Sequence, residues 1–123
     1  MNQNIAISGQ IALITGGSRG IGAGIALRLA SLGARTVILG RDRAALEATV
    51  QQIISQKGEC LAVVCDLERE AEVQRAAEEI ERRVGAPQIL VNCAGLGLLG
   101  RPLLDCSPDD WERVMNTNLR GVF

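Results

Sequence analysis

A glycine-rich segment with a single arginine is the first stretch of this sequence that could bind a ligand. Residues 15–22 read TGGSRGIG and place Gly16, Gly20 and Gly22 at Gly-x-x-x-Gly-x-Gly spacing, between an apolar run and a helical pattern. Glycine allows a tight turn and lets the backbone approach a ligand closely. The helix that follows would present free N–H groups and a partial positive charge to a phosphate. The segment therefore predicts a nucleotide-binding turn, although a turn that needs glycine only for its own shape remains an alternative.

A second group of candidate residues follows the next apolar run, where the sequence reads Gly40-Arg41-Asp42. Dinucleotide folds that take NAD usually carry an acidic residue there, which bonds the ribose 2′-hydroxyl. Here Gly40 occupies that position, and the guanidinium of Arg41 can bind a 2′-phosphate, with Arg19 approaching from the glycine turn. The pattern predicts NADP(H) in preference to NAD(H). Asp42 weakens this prediction, and Arg41 could instead be an exposed cation at a helix start.

The elements that would position these residues alternate along the chain. Apolar runs predict strands at residues 11–15, 36–39, 61–65 and 88–92. Between them, helical patterns predict one helix that ends at Gly33, a second that ends at Gly58 and a third whose other face is charged. A last helix is predicted to start at Ser107, with Pro108 and Asp110 as start signals, and to run continuously through Phe123.

The strands are continuous apolar runs, which is typical of strands buried on both faces of a parallel sheet. We therefore predict an α/β fold: a doubly wound parallel sheet of the Rossmann type, with about four strands and flanking helices, in a single domain over residues 1–123.

Four motifs in order resemble the short-chain dehydrogenase/reductase family. TGGSRGIG is similar to its TGxxxGxG motif, and Asp66, in CDL, to its adenine-contacting Asp. Residues 92–95 read NCAG and resemble its Asn-Asn-Ala-Gly motif, with Cys93 in place of the second Asn. Asn118, in TNLRGVF, stands where the family has the Asn of its catalytic tetrad. Asp66 could also be an Asx-turn residue, and Asn118 an ordinary helical Asn.

The resemblance implies that Asn118 is the tetrad member present in this chain. It also implies a set of cofactor-binding residues, which comprises Gly16, Ser18, Arg19, Gly20, Ile21, Gly22, Arg41, Asp66, Leu67, Asn92, Ala94 and Gly95. The segments GGSRGIG, GRDRAAL and NLRGVF resemble the 3-oxoacyl-[acyl-carrier-protein] reductases. A small carbonyl or acyl substrate and a homo-oligomer of the complete enzyme are therefore implied.

The rest of the family tetrad is missing. In the family, Tyr is the general acid, Lys lowers its pKa and Ser polarises the carbonyl. This chain has no Tyr and no His, and its single Lys, Lys57, falls in the second helix. We therefore expect an N-terminal, cofactor-binding half, truncated before the catalytic Ser and the Tyr-x-x-x-Lys segment and inactive alone. The alternative is a non-catalytic truncated module that binds nucleotide or pairs with a subunit.

Composition excludes several other classes. The formal net charge of the 123 residues is −1, which gives no basic surface for nucleic acid and no polybasic membrane anchor. Residues 1–18 are uncharged, but polar residues interrupt them, so neither a membrane span nor a signal peptide is predicted, and a cytoplasmic location is expected. The four cysteines form no Cys-x-x-Cys pair and there is no His, so no metal site is predicted.

Overall fold

A computed structural model describes residues 7–123, which contain one four-stranded sheet. Its strands are β1 (Ile11–Thr15), β2 (Arg35–Gly40), β3 (Glu59–Val64) and β4 (Ile89–Asn92). All neighbours are parallel, in the order β3-β2-β1-β4. The chain therefore winds outward from β1 to β3 and then crosses to the other side of β1. The predicted doubly wound parallel sheet is confirmed.

Helices cover both faces of the sheet. They are α1 (Gly20–Ser31), α2 (Arg43–Ser55) and α3 (Glu70–Arg83), whereas a fourth helix, α4 (Pro108–Met115), follows β4 and has no buried residue. One apolar cluster joins α1 and α2 to one face through residues such as Ile14, Ile38 and Leu46. A second joins α3 to the opposite face through Val37, Ala76 and Ile80. Because β1 and β2 are covered on both faces, their continuous apolar sequences are explained.

Two helix ends show how glycine is used in this chain. Gly33 follows α1 with φ of +89°, in a Schellman motif where Ala34 N–H donates to Leu29 O, as the sequence predicted. After α2, however, Lys57 takes the left-handed conformation with φ of +62°. The prediction that Gly58 provides this stop is wrong. Gly58 lies one position later, where a Cβ would come within 2.7 Å of Ile53 Cγ2, so close packing explains this glycine.

The last helical segment starts as predicted but changes its pitch. Ser107 accepts a hydrogen bond from Asp110 N–H, and the Asp110 carboxylate accepts one from Ser107 N–H, which is a capping box. The α-helix ends at Met115, and Asn116–Arg120 form a π-helical turn closed by Gly121 N–H on Asn116 O at 2.8 Å. The prediction that this helix includes Phe123 is therefore wrong, because the hydrogen-bond ladder shifts to a five-residue spacing after Met115 and the helical residues end at Arg120.

The strand β4 pairs with β1 on one side, and no described residue pairs with its other side. Leu90 pairs in register with Leu13, on the face that α3 covers over the other strands, yet its side chain is 58% exposed. Within residues 7–123, β4 is therefore an edge strand with an apolar sequence. Among residues 7–123, no helix is long and apolar enough to cross a membrane.

Candidate functional site

A cavity of about 750 Å³ opens at the carboxyl ends of the four strands. It lies at the point where the chain direction across the sheet reverses between β1 and β4, which is where open α/β sheets bind ligands. Its lining comprises Gly16, Ser18, Arg19, Ile21, Gly22, Leu39, Gly40, Arg41, Asp42, Cys65, Asp66, Leu67, Cys93, Ala94, Gly95 and Thr117.

The glycine turn forms the floor beside β1, and close packing explains most of its glycines. A Cβ on Gly16 would come within 2.8 Å of Ala94 Cα, and one on Gly17 within 2.6 Å of Ile38 Cβ. A Cβ on Gly22 would overlap the carbonyl of Gly16. Gly20 differs, because it has free space around it but a φ of +58°. The turn thus needs glycine in order to pack against its neighbours. Because these glycines have no side chains, the backbone of the turn is also uncovered toward the cavity.

The start of α1 has no side-chain cap. Its N-cap residue, Arg19, makes no capping hydrogen bond, and the first turn contains no acidic residue. The first N–H groups of this twelve-residue helix therefore have no anionic partner from their own turn, and Ile21 and Gly22 line the cavity. This arrangement suits an anion such as a phosphate group.

Thr15, at the end of β1, holds the loop after β4 in place. Its hydroxyl oxygen accepts hydrogen bonds from Cys93 N–H at 3.1 Å and Ala94 N–H at 3.0 Å. This contact places residues 93–95 directly over Gly16. Asn92 pairs with Thr15 in the sheet register and does not line the cavity. Thr15 was not among the predicted site residues, although its position at a strand end was a usable signal.

The Asn118 side chain lies in the π-helical turn and contacts the same loop. Its Oδ1 accepts from Leu96 N–H at 2.7 Å, and its Nδ2 donates to Leu96 O at 2.8 Å. Asn118 therefore has a specific structural partner, and it is not merely a tolerated helical residue. Its neighbour Thr117 lines the cavity, whereas Asn118 itself does not.

Asp66 forms the wall at the end of β3. Its Oδ1 accepts from Glu68 N–H at 3.0 Å, which is the Asx turn that was one of its two interpretations. Its own N–H donates to Glu72 Oε2 at 2.8 Å, so α3 fixes the backbone of this turn. Asp66 and Leu67 both line the cavity.

The rim between the glycine turn and α2 carries the charged groups. Arg41 is exposed and makes no ion pair within residues 7–123. Arg19 reaches across to Asp42, with its Nη2 2.8 Å from Asp42 Oδ2. Asp42 is the N-cap of α2, since its Oδ1 accepts from Ala45 N–H at 3.1 Å. This hydrogen bond, together with the charge of Arg19, holds the pKa of the Asp42 carboxyl below its usual value.

Two cysteines line the cavity, and neither belongs to a metal site. Burial, with a smaller contribution from the Glu72 charge, raises the pKa of the Cys65 thiol. Cys93 follows β4, where it replaces the second Asn of the family motif. In the part of the chain that the structure describes, no group of three or more His, Cys, Asp or Glu side chains could hold a metal ion.

The structure thus brings most of the predicted cofactor-binding residues to one cavity. Gly20 and Asn92 are the two that do not line it. Leu39, Cys65 and Thr117 do line it and were not predicted. Leu39 and Cys65 share a signal that could have found them, because each lies at the carboxyl end of an apolar run.

The sequence profile described as "short chain dehydrogenase" matches residues 10–123. Among curated proteins, the chain is 38% identical to mouse "Dehydrogenase/reductase SDR family member 1", over 95% of this chain and 40% of the relative. It is 40% identical to the "Rhamnolipids biosynthesis 3-oxoacyl-[acyl-carrier-protein] reductase" of Pseudomonas aeruginosa, over 100% of this chain and 47% of the relative. The chain therefore spans less than half the length of these two relatives.

Solved structures agree with this assignment. A metagenomic short-chain oxidoreductase in complex with NADP superposes with a TM-score of 0.88 at 40% identity, over 94% of this chain and 52% of the other. The 3-ketoacyl-(acyl-carrier-protein) reductase of Brucella melitensis, complexed with NADH, superposes with a TM-score of 0.88 at 38% identity, over 95% of this chain and 47% of the other. This chain belongs to the short-chain dehydrogenase/reductase family of oxidoreductases.

Proposed function

We propose that this chain is the cofactor-binding half of an NADP(H)-dependent short-chain reductase that acts on a small carbonyl or acyl substrate. The observation that carries the proposal is the cavity at the strand ends, with a bare glycine turn and an uncapped α1 start on one side and two arginines at its rim. A nicotinamide cofactor held there would supply or accept a hydride. In this proposal, ten of the twelve residues that the family motifs indicate contact the cofactor, Gly20 and Asn92 shape the turn and the strand beside it, and Asn118 belongs to the catalytic set.

The fit of the site to a phosphorylated dinucleotide rests on its shape and charge. The turn from Gly16 to Gly22 leaves backbone N–H groups free of side-chain cover, which suits a pyrophosphate. Ala94 and Gly95, which Thr15 and the close approach to Gly16 hold in place, provide a wall without bulky side chains. Asp66 and Leu67 form the opposite wall, where we place the adenine.

The proposed preference for NADP(H) rests on the residues at the end of β2. The position that usually carries the acidic residue is Gly40, where a Cβ would lie 3.3 Å from Leu46 Cδ2 and 3.4 Å from Ser18 Cβ, so a side chain would fit after a small shift of these two neighbours. Arg41 is exposed beside it, with its guanidinium available for a 2′-phosphate. Of the two solved structures compared above, one is a complex with NADP and the other a complex with NADH. The proposed preference of this chain therefore depends on Gly40 and Arg41.

The substrate class follows from the resemblance in the motifs and from one relative at 40% identity that is named as a 3-oxoacyl-[acyl-carrier-protein] reductase. A cytoplasmic location, which is expected from the composition of the sequence, and homo-oligomeric assembly of the complete enzyme, which the family resemblance implies, are parts of the same proposal. A second candidate function is a non-catalytic nucleotide-binding or subunit-pairing module. It is favoured by the lack of any Tyr or His in the sequence.

Calorimetric titration of the 123-residue chain with NADPH and, in parallel, with NADH tests the proposal. We expect saturable binding of both, with a lower Kd for NADPH, because only NADPH carries the 2′-phosphate. Circular dichroism of the same sample establishes that the chain is folded. A folded chain that binds neither dinucleotide, or that binds NADH more tightly, would contradict the proposed cofactor.

A further inference from the structure

The carboxylate of Asp42 makes two contacts at the corner where a 2′-phosphate would lie. One oxygen accepts from Ala45 N–H at the start of α2, and the other pairs with the guanidinium of Arg19 at 2.8 Å. The first contact fixes the carboxylate to the helix, and the second directs Arg19 toward it. Both residues line the cavity.

The backbone beneath this ion pair is fixed as well. Gly17 N–H donates to Leu39 O at 3.1 Å, which ties the glycine turn to the end of β2. The Thr49 hydroxyl of α2 lies 3.1 Å from Ser18 O, to which it donates, and 3.3 Å from Ala45 O. Since the turn and the helix are held on both sides of Arg19, the ion pair forms between two rigid supports. A ligand at this corner must therefore meet Arg19 and Asp42 together.

We propose that Asp42 reduces the selectivity of this chain for NADP(H) by competing with the 2′-phosphate for the guanidinium of Arg19. This inference rests on the proposed NADP(H) site. The side chains of Arg19 and Asp42 are 71% and 51% exposed, so water weakens their pair and a phosphate can displace it. The hydrogen bond from Ala45 N–H nevertheless keeps the Asp42 carboxylate at this corner. There the carboxylate repels a 2′-phosphate that is bound to Arg19.

The same carboxylate would strengthen the binding of NAD(H). A ribose 2′-hydroxyl is a hydrogen-bond donor, and a carboxylate is an acceptor only. Asp42 therefore supplies, from the helix start, part of the chemistry that the acidic residue in place of Gly40 would supply in an NAD-binding site. Its presence narrows the preference for NADP(H) that Arg19 and Arg41 create.

The test compares Asp42→Asn with wild type in the full chain, by measuring Kd for NADPH and NADH. Asn is as good an N-cap as Asp, so the variant removes the charge and retains an acceptor for Ala45 N–H. We expect the ratio Kd(NADH)/Kd(NADPH) to rise about fivefold, as expected when one charge next to a partly screened phosphate is removed. Glu47→Gln is the matched control, because it removes one charge from an exposed position of α2 that does not line the cavity. It should leave the ratio unchanged.

Measurements in an Arg19→Ala background distinguish competition for the Arg19 guanidinium from direct repulsion of the 2′-phosphate by Asp42. If Asp42 acts through Arg19, the effect of Asp42→Asn on the ratio shrinks when Arg19 is absent. An equal effect in both backgrounds, or a ratio that stays within twofold of the Glu47→Gln value, overturns the inference. Asp42→Ser, which also caps helices, repeats the test if thermal unfolding shows that Asp42→Asn is not folded. A wild-type ratio of one or less would instead contradict the proposed NADP(H) preference, so the two failures are distinguishable.

Discussion

Asn118 and Leu96 are joined by two hydrogen bonds, in which the side-chain amide of one residue pairs with both backbone polar groups of the other. The distances are 2.7 Å for Leu96 N to Asn118 Oδ1 and 2.8 Å for Asn118 Nδ2 to Leu96 O. The pair connects the loop after β4 to the π-helical turn, which are 22 residues apart in sequence. It occupies the side-chain amide of the one residue in this chain that the family motif assigns to the catalytic tetrad.

Replacing Asn118 with Ala should release this loop. Both Leu96 groups would lose their partner, and an exposed pair of this kind contributes about 1 kcal/mol to the free energy of unfolding. We expect a modest fall in that free energy and roughly tenfold faster hydrogen exchange at the Leu96 amide. Asn116→Ala is the control, because Asn116 lies in the same π-helical turn and its side chain makes no hydrogen bond to any of residues 7–123. Equal exchange rates at Leu96 in both variants would contradict this role.

Gly22→Ala should destabilise the glycine turn severely. The new methyl group would overlap the Gly16 carbonyl, and neither backbone segment can move freely, because Gly16 is itself in close contact with Ala94. We expect a loss of about 2–3 kcal/mol in the free energy of unfolding, as for other overpacked sites. Gly24→Ala, in the same helix but with free space around it, should instead stabilise by about 0.5–1 kcal/mol. Urea unfolding of both variants measures the contrast, and a similar change in both would show that the overlap is unimportant.

The double variant Gly40→Asp/Arg41→Ala should reverse the cofactor preference. It adds a carboxylate where a 2′-hydroxyl would be bound and removes an exposed guanidinium. Loss of a charge-assisted hydrogen bond costs about 1.5–3 kcal/mol, so NADPH binding should weaken by at least tenfold while NADH binding changes little. Arg43→Ala is the control, since Arg43 is exposed, next in the same segment and outside the cavity lining. If calorimetry shows equal weakening of both dinucleotides, Arg41 does not contact a 2′-phosphate.

Features that depend on local sequence pattern alone could be predicted from this chain. The strands and most helix boundaries were predictable, because continuous apolar runs and helical periodicity are local signals. Gly33 was correctly predicted as a helix stop, whereas Gly58 was not. At Gly58 the requirement for glycine comes from Ile53 and Ala30, which pack against it in three dimensions, and Lys57 accepts the left-handed backbone instead.

The candidate site shows the same limit. Motif spacing indicated the glycine turn, Asp66 and residues 94–95, and all of these residues except Gly20 and Gly17 line one cavity in the structure. Thr117 could not be predicted, because its position depends on a π-helical turn that no sequence signal in this chain announces. The ion pair between Arg19 and Asp42 joins two segments 23 residues apart, and only the folded sheet brings these segments together.

The 123-residue chain should show no ketone-dependent oxidation of NADPH. The reaction needs a proton donor near neutral pH, and the sequence contains neither Tyr nor His. Burial raises the pKa of the Cys65 thiol, so this cavity residue is a poorer acid than an ordinary cysteine. The measurement follows absorbance of NADPH with a small ketone and a 3-oxoacyl thioester, in a preparation free of host reductases. Turnover that scales with the concentration of the chain would contradict the expectation.

Self-association through the open side of β4 should be the main instability of this chain. No described residue pairs with that side, the strand reads Ile-Leu-Val-Asn, and it carries no Lys or Pro of the kind that protects natural edges. We expect oligomers in sedimentation velocity at micromolar concentration. Leu90→Lys should reduce them with little loss of stability, because Leu90 is already 58% exposed and a charge on an edge strand opposes pairing with a second copy.

Leu104→Lys is the control, since Leu104 is 97% exposed in the Leu103–Asp105 turn and lies outside β4. Should the wild type sediment as a monomer, or should both lysine variants reduce the oligomers equally, β4 would not be the associating edge.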